Sequence, residues 1–168
     1  MRSGRSEQQA RAVHGVHRPW PRALVRLALV ALTLLACGPE DDADLRGSVD
    51  EIYDLTFVET RARLDNSGLS IQYIAGDGQV PVEVRVRRPP DGPAVIDLAQ
   101  DGDVLGSRDG MPLPARRRGV LALTAFATED GAAVIGHFEA LLSAGERSYT
   151  LEGRFDTVLE DRRPPGRR

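Results

Sequence analysis

An all-β fold is expected for the greater part of this chain, and three observations point to it. Apolar residues recur at every second position through its middle, the mark of a half-buried strand whose side chains point by turns to the two faces of a sheet. The dipeptide Asp-Gly occurs five times, at Asp77-Gly78, Asp91-Gly92, Asp101-Gly102, Asp109-Gly110 and Asp130-Gly131, and it suits two-residue hairpin turns because both residues tolerate positive φ. After residue 37 no stretch repeats its apolar residues with the 3.6-residue period of a helix. The expected architecture is an antiparallel β-sandwich of about eight strands built from meander hairpins, with a small β-barrel as the alternative.

The strands follow in order. Thr56, Val58, Thr60, Ala62 and Leu64 share one parity. Tyr53, Leu55 and Phe57 lie on the other, and a β-bulge near Phe57 reconciles the two. Leu69, Ile71 and Tyr73 form the next strand, and Val80, Val82, Val84 and Val86 the one after. A two-residue turn at Asp77-Gly78 pairs Tyr73 with Val82 and Ile71 with Val84, so turn chemistry and apolar pattern agree. A turn at Asp101-Gly102 pairs Leu98 with Leu105, and one at Asp130-Gly131 sets Phe138 against Leu123 and Ala140 against Leu121. Pro89-Pro90 and Pro112 to Pro114 read as loops.

The last hairpin carries an internal echo. Gly136-His137-Phe138-Glu139-Ala140 returns 17 residues later as Gly153-Arg154-Phe155-Asp156-Thr157. If Gly145-Glu146 is a type II′ turn, with glycine first, Gly136 faces Phe155 and Phe138 faces Gly153. Each ring then covers the bare backbone of a glycine on the neighbouring strand. This register sets Glu139 against Glu152, a like-charge pair. A four-residue loop, Ser143 to Glu146, would avoid that repulsion by pairing Phe138 with Leu151, but the two-residue turn is the preferred register, since covering two glycines outweighs one exposed repulsion that solvent and Arg154 can screen.

The beginning of the chain is of another kind. Six arginines, Arg2 to Arg26, precede a ten-residue run from Leu27 to Ala36 that is apolar but for Thr33. That is too short to cross a bilayer, which takes about 20 residues, and Gly38-Pro39-Glu40-Asp41-Asp42 ends it with a helix breaker and three acids. The pattern is that of an export signal. Leu34-Leu35-Ala36-Cys37 resembles the lipobox of bacterial lipoproteins, where the cysteine thiol accepts a diacylglycerol and becomes the new N-terminus. The resemblance covers residues 1 to about 40. It implies lipidation at Cys37, a palmitate-bearing membrane anchor firmer than a single acyl chain, and a place in the cell envelope. Gly38 after the cysteine points to the outer membrane. Four segments result: a signal peptide at 1–36, a lipidated N-terminus and tether at 37–45, a β domain at 46–161 and a disordered tail at 162–168.

Removing the first 36 residues leaves about 130, enough for one domain. All 22 basic residues are arginine, and sixteen of them face twenty-four acids after residue 36. An acidic domain is a poor nucleic-acid partner, since it lacks the cations that displace phosphate counterions. The absence of lysine removes Schiff-base chemistry. Cys37 is the only cysteine, so no internal disulfide can form.

Candidate chemistry is sparse. His137 is the only histidine beyond the signal; it sits at outward parity, with no serine or aspartate at triad spacing. Asp101, Asp103, Gly106 and Asp109 are similar to the start of a calcium loop, but Leu105 and Pro112 stand where oxygen ligands belong. Arg85, Arg87 and Arg88 with Arg116, Arg117 and Arg118 form either a phosphate-binding patch or the solvated face of two strands. No catalytic, metal or cofactor site is assigned. The leading expectation is a non-catalytic envelope module that is structural or binds another envelope protein. A carrier of a small apolar ligand in a barrel is second, and an enzyme third.

Overall fold

The computed structural model describes residues 43–164, and the all-β expectation holds there. Eleven strands form: β1 (Asp44–Arg46), β2 (Glu59–Asp65), β3 (Gly68–Ile74), β4 (Val82–Val86), β5 (Ala94–Asp97), β6 (Gly102–Leu105), β7 (Ser107–Arg108), β8 (Met111–Pro112), β9 (Ala115–Ala125), β10 (Ala133–Ala144) and β11 (Arg147–Asp161). A 3-10 turn spans Ser48–Glu51, and a four-residue helix, α1, spans Leu98–Asp101. The export segment and Cys37 lie outside the described residues.

Nine strands join one sheet, in the order β5-β9-β10-β11-β2-β3-β4-β6, with β1 added beside β11; β7 and β8 pair separately. The sheet curls until β6 comes beside β9, so the wall is nearly closed and barrel-like. It is mixed rather than wholly antiparallel, because β11 and β2 run parallel. The cause is the length of β11. Its fifteen residues pair with β10 from Arg147 to Val158 on one edge. The other edge takes β1 at Glu152 to Arg154 and β2 at Leu159 to Asp161.

The β10–β11 hairpin has the expected register along its whole length: Gly136 faces Phe155, Phe138 faces Gly153, and Ala140 faces Leu151. Gly145 has φ +61° while Glu146 is not among the positive-φ residues, which makes the turn type II′. Each ring covers its glycine. A Cβ on Gly153 would lie 2.3 Å from Phe138 Cε1, and one on Gly136 would lie 2.8 Å from Phe155 Cζ.

Other turns depart from expectation. At Asp77-Gly78 the ladder is as read, Tyr73 with Val82 and Ile71 with Val84, but the loop is longer than two residues. Gly78 N–H donates to the Ala75 carbonyl and Ala75 N–H to that of Gln79, and an extra residue at Val80–Pro81 restores the register. Between β9 and β10 the pairing slips by two, Phe138 facing Leu121 and Ala140 facing Gly119. The loop there is wider because Phe126 turns inward to the core. An even slip keeps every side chain on its face.

Asp101-Gly102 is not a hairpin turn. Asp97 caps α1 by accepting from Ala99 N–H at 2.8 Å, and β5 pairs with β9 instead of β6. No bulge occurs at Phe57 either. The parity change falls in the irregular stretch before β2, with Tyr53 and Leu55 buried and Val58 exposed. The only Asp-Gly that forms the two-residue I′ turn is Asp109-Gly110, with φ +52° and +78°, between β7 and β8. At the ends, β1 starts two residues inside the stretch read as tether, and Arg162 and Arg163 of the expected tail are held: Arg162 N–H donates to the Leu64 carbonyl and Arg163 to that of Thr128.

The core fills the curled sheet. Ala62, Ile71, Val84 and Val104 form one row across β2, β3, β4 and β6. Leu121, Phe138 and Gly153 form another across β9, β10 and β11. Tyr73 joins the two halves. Its ring packs edge-on to Phe57 and Phe138, with centroids 5.0 and 6.0 Å away, and its hydroxyl donates to the Arg154 carbonyl at 2.8 Å. Full burial of such a ring is worth about 1.5–3 kcal/mol. The unpaired seam between β6 and β9 is closed by side chains. Leu98 of α1 is fully buried there beside Gly102 and Gly119, and Arg116 reaches across to Asp103 at 3.2 Å and to the Gly102 carbonyl at 3.4 Å.

Candidate functional site

His137 lies on the outer face of β10, opposite Arg154 on β11 and Ala122 on β9. Alternation forces this, because Gly136 and Phe138 on either side face the core. It borders a shallow depression of about 300 Å³ with Asp44, Thr124, Glu139, Glu152 and Arg154. The imidazole is exposed and makes no hydrogen bond among the described residues. Glu139 stands directly opposite Glu152, and Arg46 of β1 offsets that repulsion by donating to Glu152 at 3.3 Å. The relief comes from the strand pairing on the far edge of β11. This face can offer mixed charge to a partner, and it presents no nucleophile and base in contact.

The arginines are partly brought together. Arg85 on β4 and Asp103 on β6 are paired neighbours, and Arg116 meets Asp103 from β9. Carboxylates and carbonyls engage this group: Arg85 donates to Glu83 at 3.0 Å and Arg87 to the Gln100 carbonyl. Glu83 in turn is buried and accepts from Gln72. A register irregularity at Leu141/Leu142 leaves Arg117 as the extra residue of β9, so that Arg117 and Arg118 are both exposed.

The acids similar to a calcium loop are dispersed, with Asp101 at the end of α1, Asp103 bound to Arg116 and Asp109 in the β7–β8 turn. Among the described residues no group of three His, Cys, Asp or Glu is placed to hold a metal ion. A second acidic cluster is a clasp. Arg108 donates to Asp54 and Asp77, both at 3.1 Å, tying the stretch before β2 to the β3–β4 loop. Hydrogen bonds from Thr56 and Gln79, helped by this guanidinium, hold the two carboxyls below the usual carboxylate range. Nearby, Tyr53 donates to the Pro81 carbonyl at 2.8 Å, and burial pushes its phenol up to about 12.

The surface feature that sequence reasoning missed is apolar. β5 ends the sheet and pairs only with β9. Its Val95 is 76% exposed, and Val120 of β9, diagonal to it, is 46% exposed. Ala122 lies directly opposite Val95. The run Ala94-Val95-Ile96 has no alternation from which an outward residue could be chosen, and that hid the patch.

Comparison with known proteins returned no match to any protein family, curated protein or solved structure.

Proposed function

We propose that this chain is a lipid-anchored module of a bacterial cell envelope, tethered to the outer membrane through Cys37, and that its β domain acts by binding another envelope protein rather than by catalysis. The observation that carries the reading is the Arg-rich stretch and apolar run ending at Ala36-Cys37. From Cys37 to the first strand at Asp44 is seven residues, a reach of about 25 Å when extended. An anchor there would hold the domain close to the bilayer surface.

The binding half of the proposal is supported by β5. A strand with one unpaired edge can accept a strand from a partner, and here the edge adjoins exposed Val95 and Val120, with half-buried Ala122 between them. A carrier would need a hollow interior, whereas Tyr73, Phe138 and Phe155 fill this one.

Two measurements test the proposal. Metabolic labelling with a palmitate analogue should mark the wild-type protein and leave Cys37→Ser unlabelled, because the hydroxyl does not replace the thiol as acyl acceptor. Labelling of both, or of neither, would end the anchor reading. A photoreactive residue at position 95 should give one discrete adduct in native membranes, while the same probe at exposed Thr56 gives none. Identical products from both positions would refute the β5 surface.

A further inference from the structure

Among aspartyl peptide units Asp-Gly is the one most open to rearrangement, since glycine places no side chain between its nitrogen and the preceding carboxyl. Ring closure needs two things: a carboxyl free to swing onto the backbone, and an amide nitrogen free of its own hydrogen bond. The five Asp-Gly pairs of this chain differ in both.

Four are held. Asp77 accepts from Gln79 and Arg108, and Gly78 N–H is bonded to the Ala75 carbonyl. Gly102 is buried, and its N–H closes α1 on the Leu98 carbonyl. Asp109 accepts from the Gln79 side chain at 3.1 Å. Asp130 accepts from Asp161 N–H at 2.9 Å, while Gly131 N–H donates to the Leu159 carbonyl at 2.8 Å. The pair between β4 and β5 is different. Asp91 is exposed, and among the described residues neither its carboxyl nor Gly92 N–H has a hydrogen-bond partner. The space around Gly92 is open, with no atom within 4 Å of where a Cβ would stand.

We infer that Asp91-Gly92 is a modification site, at which the folded protein converts its own backbone to isoaspartate. The Gly92 nitrogen attacks Asp91 Cγ, a C–N bond forms, the Cγ–O bond breaks, and water leaves with the amide proton. The product is a five-membered succinimide. Water then opens the ring at one of its two carbonyls. Attack at Cγ restores aspartate; attack at the former backbone carbonyl gives isoaspartate, with one extra methylene in the main chain and a free α-carboxylate. No oxidant or reductant takes part. The extra methylene falls in the loop that leads through Pro93 into β5, and the new carboxylate is the group that an isoaspartyl carboxyl-methyltransferase esterifies.

The test is peptide mapping by mass spectrometry of the purified protein aged at neutral pH and 37 °C, scoring succinimide and isoaspartate at all five pairs, with a denatured sample beside it. Sites held by structure react only from locally opened states, so Asp91 should lead each of the other four by about tenfold or more in the folded protein. In denaturant the five should react at similar rates. Gly92→Val, whose Cβ would stand in open space, should suppress the reaction at Asp91 while leaving the denaturation midpoint unchanged. Another Asp-Gly leading in the folded sample, or no isoaspartate at Asp91 when denatured chains have formed it, would overturn the inference. So would a lead for Asp91 that persists in denaturant, since it would then owe nothing to the fold.

Discussion

Gly153→Ala probes the packing of Phe138 directly. The added methyl would lie 2.3 Å from Phe138 Cε1 and 2.6 Å from the Tyr73 hydroxyl, about 1 Å or more inside normal contact. Neither neighbour can yield easily. Both are fully buried, and Tyr73 is pinned by its bond to the Arg154 carbonyl. Overpacking of this kind costs about 1–3 kcal/mol, and replacing glycine in a strand returns about 0.5–1 kcal/mol. The net loss should be about 1–2 kcal/mol, or roughly 3–10 °C in Tm for a domain of this size. Urea and thermal denaturation followed by circular dichroism measure it. Phe138→Leu in the Gly153→Ala background should recover part of the loss, so that the double variant is better than the sum of the singles by about 0.5 kcal/mol or more. Gly92→Ala, with open space around it, serves as the neutral reference, within about 0.5 kcal/mol of wild type. If Gly153→Ala is as harmless as that reference, or the two changes add, the ring does not rest on the glycine and the packing argument fails.

Three further outcomes follow from the same structure. Reductant should leave the denaturation midpoint unchanged, because no cysteine lies after residue 37 to staple the domain; a shift in monomeric protein would contradict this. Tyr53 holds its proton more tightly when folded, so its contribution is complete below pH 10 and drains away as pH rises towards 12. Alkaline titration of stability should therefore fall less steeply for Tyr53→Phe than for wild type, and equal slopes would exclude the phenol. Arg116→Ala should cost about 1 kcal/mol, since the guanidinium is mostly buried but Asp103 is half exposed to solvent. Its hydrogen-exchange protection should drop first at β6, and uniform loss over the sheet would refute the seam assignment.

How much of this was legible in the sequence depends on the distance over which each contact is made. The β10–β11 hairpin could be read residue by residue because a two-residue turn, two glycines and two phenylalanines constrain it together. The β3–β4 ladder survived a wrong turn geometry, since apolar alternation specifies the face more strongly than a loop does. At β9–β10 the turn residues were right and the register was not: Phe126 folding inward lengthens the loop, and nothing local announces it. The β5–α1–β6 region was misread because Asp97 acts as a helix cap and β5 finds its partner on β9. The parallel contact of β11 with β2 joins residues 97 positions apart, Leu159 and Ala62, and no short pattern encodes it. For the functional surface, outward His137 was readable from parity. The Val95 patch was not, because its exposure comes from β5 standing last in the sheet.

The shared strand β11 also sets an order of events for folding. One edge pairs with β10, the strand just before it, while the other collects the first strands of the domain: Leu45 beside Gly153, and Ala62 beside Leu159. The final fifteen residues of the wall are therefore the ones that join its first strands to its last. Contacts of such high sequence separation slow folding, because loop closure must come before any reward from pairing. A nascent chain that has released only β2, β3 and β4 owns a three-stranded meander with an apolar face and nothing to cover it. Cooperative burial waits for Asp161, so the domain is expected to assemble once β11 is present and not segment by segment.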